Sequence, residues 1–273
     1  MATTKAAPKK KSKGFQGVRH AFIIIILAFI VGWAFYNFIL GDPANFANGD
    51  HEGHPLNMLG TVYKGGWVVP IIFGLLCTVI AMSVERWIAI SACSGKGSVT
   101  KFTANVKMAL KDGDIAKAEL LCNKQGGSVA NVVLVDLKSY KEMESAKIKL
   151  KEKVATIQNS HEEATALEMP TMTMNLPIIA TIVTLGTLTA LFGTVLGMIR
   201  SFAALAAGGG ADSMALSTGI SEALVNTASG IATSWVSVVS YNYFTNKIDK
   251  LTFAMDEIGY TIAHTFEDKH PEA

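Results

Sequence analysis

LPIIATIVTLGTLTALFGTVLGMIRSFAALAA, residues 176–207, is the stretch that decides how the rest of the chain is read. As a helix rising about 1.5 Å per residue it reaches about 48 Å, beyond the ~30 Å hydrocarbon core of a bilayer. Thr184, Thr187, Thr194 and Ser201 fall three or seven residues apart along it and so share one helical face. A lipid-facing helix gains nothing from such a row, whereas a helix lining a packed or watered interior can use it. Asn175 is placed to cap the helix, with Pro177 in its first turn. The surplus length is expected to project into the cytoplasm, and Arg200, near the other end, to snorkel towards the periplasm.

The matching stretch is residues 217–244, STGISEALVNTASGIATSWVSVVSYNYF. Its small residues allow close helix–helix approach. Thr227, Ser234 and Tyr241 repeat at seven, and Glu222, Asn226, Ser229, Thr233 and Ser240 make a second polar row. Glu222 is a carboxylate inside a membrane segment, costly there unless paired or hydrated, and therefore a functional candidate as an inter-subunit or proton-handling group. Residues 245–273 continue as a cytoplasmic helical tail.

Composition agrees with a membrane protein. Half of the 273 residues are apolar and 17% are charged, against about a quarter charged in soluble domains. Residues 1–20 hold six Lys or Arg and no acid, and 91–175 hold twelve Lys against ten Asp plus Glu. Residues 41–64 and 208–216 hold a single Lys between them. This asymmetry places both termini and the 91–175 region in the cytoplasm. The basic start runs straight into an apolar 20-mer, which weighs against nucleic acid as its partner.

Working outward, residues 1–20 read as a basic cytoplasmic tail and 21–40 as a transmembrane helix. The latter is longer than a cleaved signal core and ends in Trp33, Phe35, Tyr36 and Phe38. Residues 41–66 read as a periplasmic linker whose His51, Glu52 and His54 are solvated polar groups rather than a metal site. Residues 67–90 form a second span that ends in Glu85-Arg86-Trp87, an interface anchor. Residues 91–175 carry short amphipathic stripes: Phe102, Val106, Ala109 and Leu110; Ile115, Ala118, Leu121 and Cys122; Val129, Val132, Val133 and Leu137; Leu150, Val154, Ile157 and Ala164. These form a cytoplasmic helical domain. Residues 176–207 and 217–244 are the third and fourth spans, with 208–216 a periplasmic turn. The fold class is thus an all-α membrane protein with four transmembrane helices, the last two long and extending into a cytoplasmic helical domain. Cys77, Cys93 and Cys122 show no metal-like spacing. No phosphate loop or nucleophile motif appears, so neither an enzyme, a metal nor a cofactor is expected.

The last two spans resemble the MotA/TolQ/ExbB proton-channel family, and its ExbB branch most of all. The pieces that carry the resemblance are Leu-Pro-x-x-Ala-Thr-Ile, Gly-Thr-Val-x-Gly-Met-Ile, Glu-Ala-Leu-x-x-Thr-Ala and Tyr-Asn, joined by Glu85-Arg86 and Ala109 to Gly127. They cover roughly residues 67–250. The resemblance implies long membrane helices that assemble as a homo-oligomer, typically a pentamer, around a dimer of an ExbD-like single-span partner. That partner's membrane aspartate takes up the proton. Carried over by position, Thr194 and Thr227 match the family's pore threonines, Glu222 its membrane glutamate and Asn242 its asparagine near the cytoplasmic mouth. Thr187, Thr184 and Ser234 extend the same hydroxyl lining. Residues 21–40 form an extra span, and Thr218 stands where relatives often carry proline.

The function this implies is an ExbB-like subunit of an inner-membrane proton channel. With its ExbD-like partner and a TonB-like coupling protein, it uses the proton-motive force to energise TonB-dependent outer-membrane transport. A TolQ-like or MotA-like stator subunit is the alternative within the class, although the cytoplasmic domain is small for a MotA arm. A membrane scaffold whose polar rows serve only helix contact is the alternative outside it.

Overall fold

The computed structural model describes residues 21–51, 53–207 and 213–270. The basic tail 1–20 and residues 208–212 of the expected periplasmic turn lie outside the described residues. Among these, helices follow one another with no strand beyond a single bridge between Phe46 and Pro55. The helices are α1 (Ala21–Phe35, continued by a π turn at Tyr36–Leu40), α2 (Met58–Tyr63), α3 (Val69–Ser94), α4 (Val99–Lys111), α5 (Ile115–Gln125), α6 (Gly127–Ser145), α7 (Leu150–Thr173), α8 (Leu176–Ala207) and α9 (Ser213–Lys269). Among the described residues, three segments are long and apolar enough to cross a membrane: Ala21–Leu40, Val69–Lys111 and Leu176–Ala206. The hydroxyl- and amide-rich 217–244 portion of α9 is not among them.

The chain forms two compact units. The span unit holds residues 21–86 and 175–245, and the polar unit holds 87–174 and 246–270.

In the span unit, α1 is apolar all round. Only Ala28 and Gly32 are buried within it, while Phe22, Ile23, Ile26, Leu27, Ile30 and Val31 are exposed, as suits a helix with lipid on its outer side. Its inner side meets α3 at glycine. A Cβ on Gly32 would lie 2.7 Å from the Gly74 amide nitrogen, and the Phe29 ring lies over Gly74. Phe29 also packs with Leu75, Val79 and Ile182, so α1, α3 and α8 share a core. Phe35 stacks on Phe73 at 5.3 Å and Tyr36 on Tyr63 at 4.6 Å.

Residues 41–51 and 53–66 of the expected linker are folded. Asp42 caps a 3-10 turn, Asn57 caps α2, and buried Asn45 donates to the carbonyls of Ile39 and Leu40 at 2.8 and 3.0 Å. His51 Nε2 donates to the Gly41 carbonyl at 2.7 Å, and its ring sits against Phe46 and Tyr63. Glu52 lies outside the described residues.

The polar unit buries most of its stripes, with Ile115, Leu121, Leu150 and Val154 only half-buried. Phe102, Val106 and Leu110 of α4, Ala118 and Cys122 of α5, Val129, Val132, Val133 and Leu137 of α6, and Ile157 and Ala164 of α7 are all buried. Ile248, Leu251, Met255, Ile258, Ile262 and Phe266, spaced at three or four on α9, are buried as well, and Phe266 meets Tyr140 of α6 edge-on at 5.0 Å. Ser98 and Asp114 cap α4 and α5. Burial pushes the Cys122 thiol up to about 12, so it stays protonated.

The Gly32–Gly74 contact leaves no room for a side chain. Gly32→Leu is expected to lower stability by about 1–3 kcal/mol in detergent unfolding. Leu27→Ala, on the exposed side, is expected to change it by less than about 0.5 kcal/mol.

Candidate functional site

The site lies where α8 and α9 run antiparallel within the span unit. Thr194 and Thr227 face each other with their hydroxyls in direct contact. Seven residues earlier on α8 and seven later on α9, Thr187 and Ser234 bond at 2.9 Å. Seven residues are nearly two helical turns, so the two rungs stand about 10 Å apart along the helices. Ala190 and Gly230 lie between the rungs and Gly186 just beyond the Thr187–Ser234 rung, and these small residues let the backbones close up.

Each threonine hydroxyl carries one proton and can accept two hydrogen bonds. Thr194 Oγ1 lies 2.9 Å from the Ala190 carbonyl and 3.3 Å from that of Ala223. Thr227 Oγ1 lies 3.0 Å from the same Ala223 carbonyl. If both hydroxyls donated to backbone, neither could donate to the other. One must therefore point inward while the other points at a carbonyl, and either may take either role. Such a pair can pass a hydrogen bond along, but near neutral pH it cannot take up a proton.

Of the other residues in the α8 row, Ser201 is buried and bonds the carbonyls of Gly197 and Leu216 at 3.1 and 3.2 Å. Thr184 is exposed and bonds the Thr181 carbonyl of its own helix at 3.0 Å, so it adds no rung. Asn242 is exposed on α9.

The second α9 row turns inward. Glu222, Asn226 and Thr233 are buried. Asn226 donates to the Gly65 carbonyl at 3.0 Å, and its Oδ1 finds no partner among the described residues. Gly66, at φ +80, lies against Glu222, whose Oε1 would be 2.2 Å from any added Cβ. Position 66 therefore admits only glycine on both backbone and contact grounds. The same Oε1 meets the guanidinium of Arg200 at 2.7 Å. Arg200, expected as an interface anchor, is thus also the counter-ion of Glu222. Sequence reasoning missed this pairing, although the antiparallel register that opposes Thr194 and Thr227 also opposes positions 200 and 222.

Glu85 and Arg86 differ from expectation more sharply. Arg86 is fully buried and Glu85 is 6% exposed, and the two are bonded at 2.5 Å. A guanidinium neutralised by the adjacent carboxylate has no need to reach water, so this pair is a buried element rather than a snorkelling anchor.

The model of the MotA/TolQ/ExbB proton channel family matches residues 135–257. The chain is 26% identical over 197 residues to the biopolymer transport protein ExbB of Pseudomonas putida, covering 71% of this chain and 59% of that protein. It is 36% identical over 95 residues to the Tol-Pal system protein TolQ of Pseudomonas aeruginosa, covering 34% of this chain and 38% of that one. An ExbB homolog of Methanothermobacter thermautotrophicus is 34% identical over 93 residues, 34% of this chain and 33% of its own length. The matches span about a third to three fifths of these relatives.

The Arg200–Glu222 pair yields a direct test. Arg200→Ala strands a buried carboxylate and is expected to cost about 1–3 kcal/mol. Adding Glu222→Gln should recover much of that loss. A double-mutant cycle by unfolding in detergent should show coupling of about 1 kcal/mol or more, and additive losses would contradict the pairing.

Proposed function

We propose that this chain, which belongs to the MotA/TolQ/ExbB proton channel family, is an ExbB-like subunit of an inner-membrane proton channel rather than an enzyme. In this reading it has four spans, residues 217–244 of α9 being the fourth, with both termini and the polar unit in the cytoplasm. Several copies, as in a pentamer, surround an ExbD-like single-span partner. Together with a TonB-like coupling protein they energise TonB-dependent outer-membrane transport.

The observation that carries the reading is the hydroxyl ladder, Thr187–Ser234 and Thr194–Thr227. It offers a hydrogen-bonded lining without an acid of its own, because Glu222 is engaged by Arg200. The proton acceptor must then come from another chain, and a carboxylate on a partner helix suits that role. Each proton that crosses releases ~2.3 kcal/mol per 100 mV, so repeated steps can drive movement of the partner. The same ladder holds its helices only weakly, since hydrogen bonds within membranes are worth about 0.6 kcal/mol on average. A purely packing role therefore accounts for it poorly.

A TolQ-like role is the second reading. It is supported by the 36% identity to a TolQ protein, and the two differ chiefly in the partner that co-purifies.

Thr194→Val combined with Thr227→Val keeps the shape and removes both hydroxyls. In cells that assemble the complex normally, energy-dependent uptake is expected to fall at least about tenfold. Uptake at the unsubstituted level with normal assembly would refute the proton path.

A further inference from the structure

One buried titratable cluster lies in the polar unit, and the channel reading makes no use of it. Asp136 of α6 is fully buried, His161 of α7 is 13% exposed, and Asp256 of α9 is 60% exposed. His161 Nδ1 stands 2.8 Å from Asp136 Oδ2, and its Nε2 stands 3.4 Å from Asp256 Oδ1. Both ring nitrogens therefore face carboxylate oxygens. Only the imidazolium, with two N–H groups, can donate to both, and a neutral ring must leave one unserved.

Two further features make the cluster sensitive. Asp136 Oδ1 has no hydrogen-bond partner among the described residues, so the bond to His161 is the one seen to compensate this buried carboxylate. The imidazole also lies directly on the α9 backbone at Gly259, where an added Cβ would come within 2.4 Å of Nδ1. A change in the charge of His161 is thus felt by α6, α7 and α9 together.

We propose that Asp136, His161 and Asp256 form a pH-responsive clamp that holds α6, α7 and α9 together while His161 is protonated and loosens them as pH rises. The inference concerns the polar unit alone and does not depend on the channel reading.

The surrounding groups do not supply a competing switch. From α9, Glu257 is engaged by Lys107 of α4 at 2.5 Å. From α5, the Cys122 thiol feels Asp136 but stays protonated, pushed up to about 12 chiefly by burial. On α7 itself, Glu162 and Glu163 are exposed. The facing contact between α6 and α7 is a neutral Ser139–Ser160 bond at 3.1 Å.

The directions agree. The hydrogen bond to Asp136 holds His161 above the ordinary histidine value of 6.5, burial opposes this, and Asp256 adds to the rise. Burial pushes the Asp136 carboxyl up, and His161 pulls part of that back. His161 therefore keeps its proton in the folded state at pH values where the unfolded chain has lost it, so its contribution is complete below the unfolded value and is lost as pH rises through the folded one. The two titrate as a coupled pair.

The test is amide hydrogen exchange of the full-length chain in detergent from about pH 6 to about pH 8.5, corrected for intrinsic exchange. Protection in α6 and α7 around Asp136 and His161 is expected to fall by about tenfold per pH unit through the transition, the slope of one linked proton. Asp136→Asn should flatten that slope, and Asp256→Asn should move its midpoint to lower pH. Protection that does not vary with pH, or an Asp136→Asn chain with the unsubstituted slope, would overturn the clamp. Should Asp136→Asn fail to fold, the exposed Asp256→Asn decides, and an unmoved midpoint would overturn it.

Discussion

The span unit depends on the antiparallel register of α8 and α9. A helix turns by about 100° per residue, so slipping one helix by a single position would carry each hydroxyl away from its opposite number. Only in the observed register do Thr194 and Thr227 meet, with Thr187 and Ser234 meeting nearly two turns away. The hydroxyl bonds are too weak to fix that register. Other contacts between the two helices do so: the Arg200–Glu222 ion pair, and the close approaches at Gly186, Gly193, Gly197, Gly219 and Gly230, where an added Cβ would run into the facing helix. The register therefore does not rest on the hydroxyl ladder.

The same division accounts for the composition of the 217–244 part of α9, which is not apolar enough to be counted with the three membrane-spanning segments. Its Glu222, Asn226, Thr233 and Ser237 are buried against protein. A helix that hides its polar side in this way needs only a narrow apolar face. Ile231, Trp235 and Val239 remain exposed to provide it.

Periodic features were legible in the sequence, and features joining distant residues were not. The α8 hydroxyl row and the Thr227–Ser234 repeat could be read from spacing alone. Thr184 shared the row yet forms no rung, because spacing gives the face of one helix and says nothing of what stands opposite. The apolar stripes of the polar unit could be read in the same way, since a 3.6-residue period with apolar faces leaves few alternatives. The contacts of α1 could not, because Gly32 and Gly74 signal close approach without naming each other. Residues 41–66 looked like a linker because their Gly, Pro, Asn and Asp are turn formers, and the structure uses those residues for caps and 3-10 turns. Arg86 looked like a snorkelling anchor but is buried against Glu85. The Asp136–His161–Asp256 cluster draws on three helices, and no local pattern marks it.

The central claim is that the ladder conducts only with an acid from another chain. Proton flux into liposomes tests it most directly, comparing this chain alone with the chain co-reconstituted with an acid-bearing single-span partner under an imposed potential. The account predicts flux at the background level for the chain alone and clear flux with the partner present. Potential-driven flux through the chain alone would contradict it.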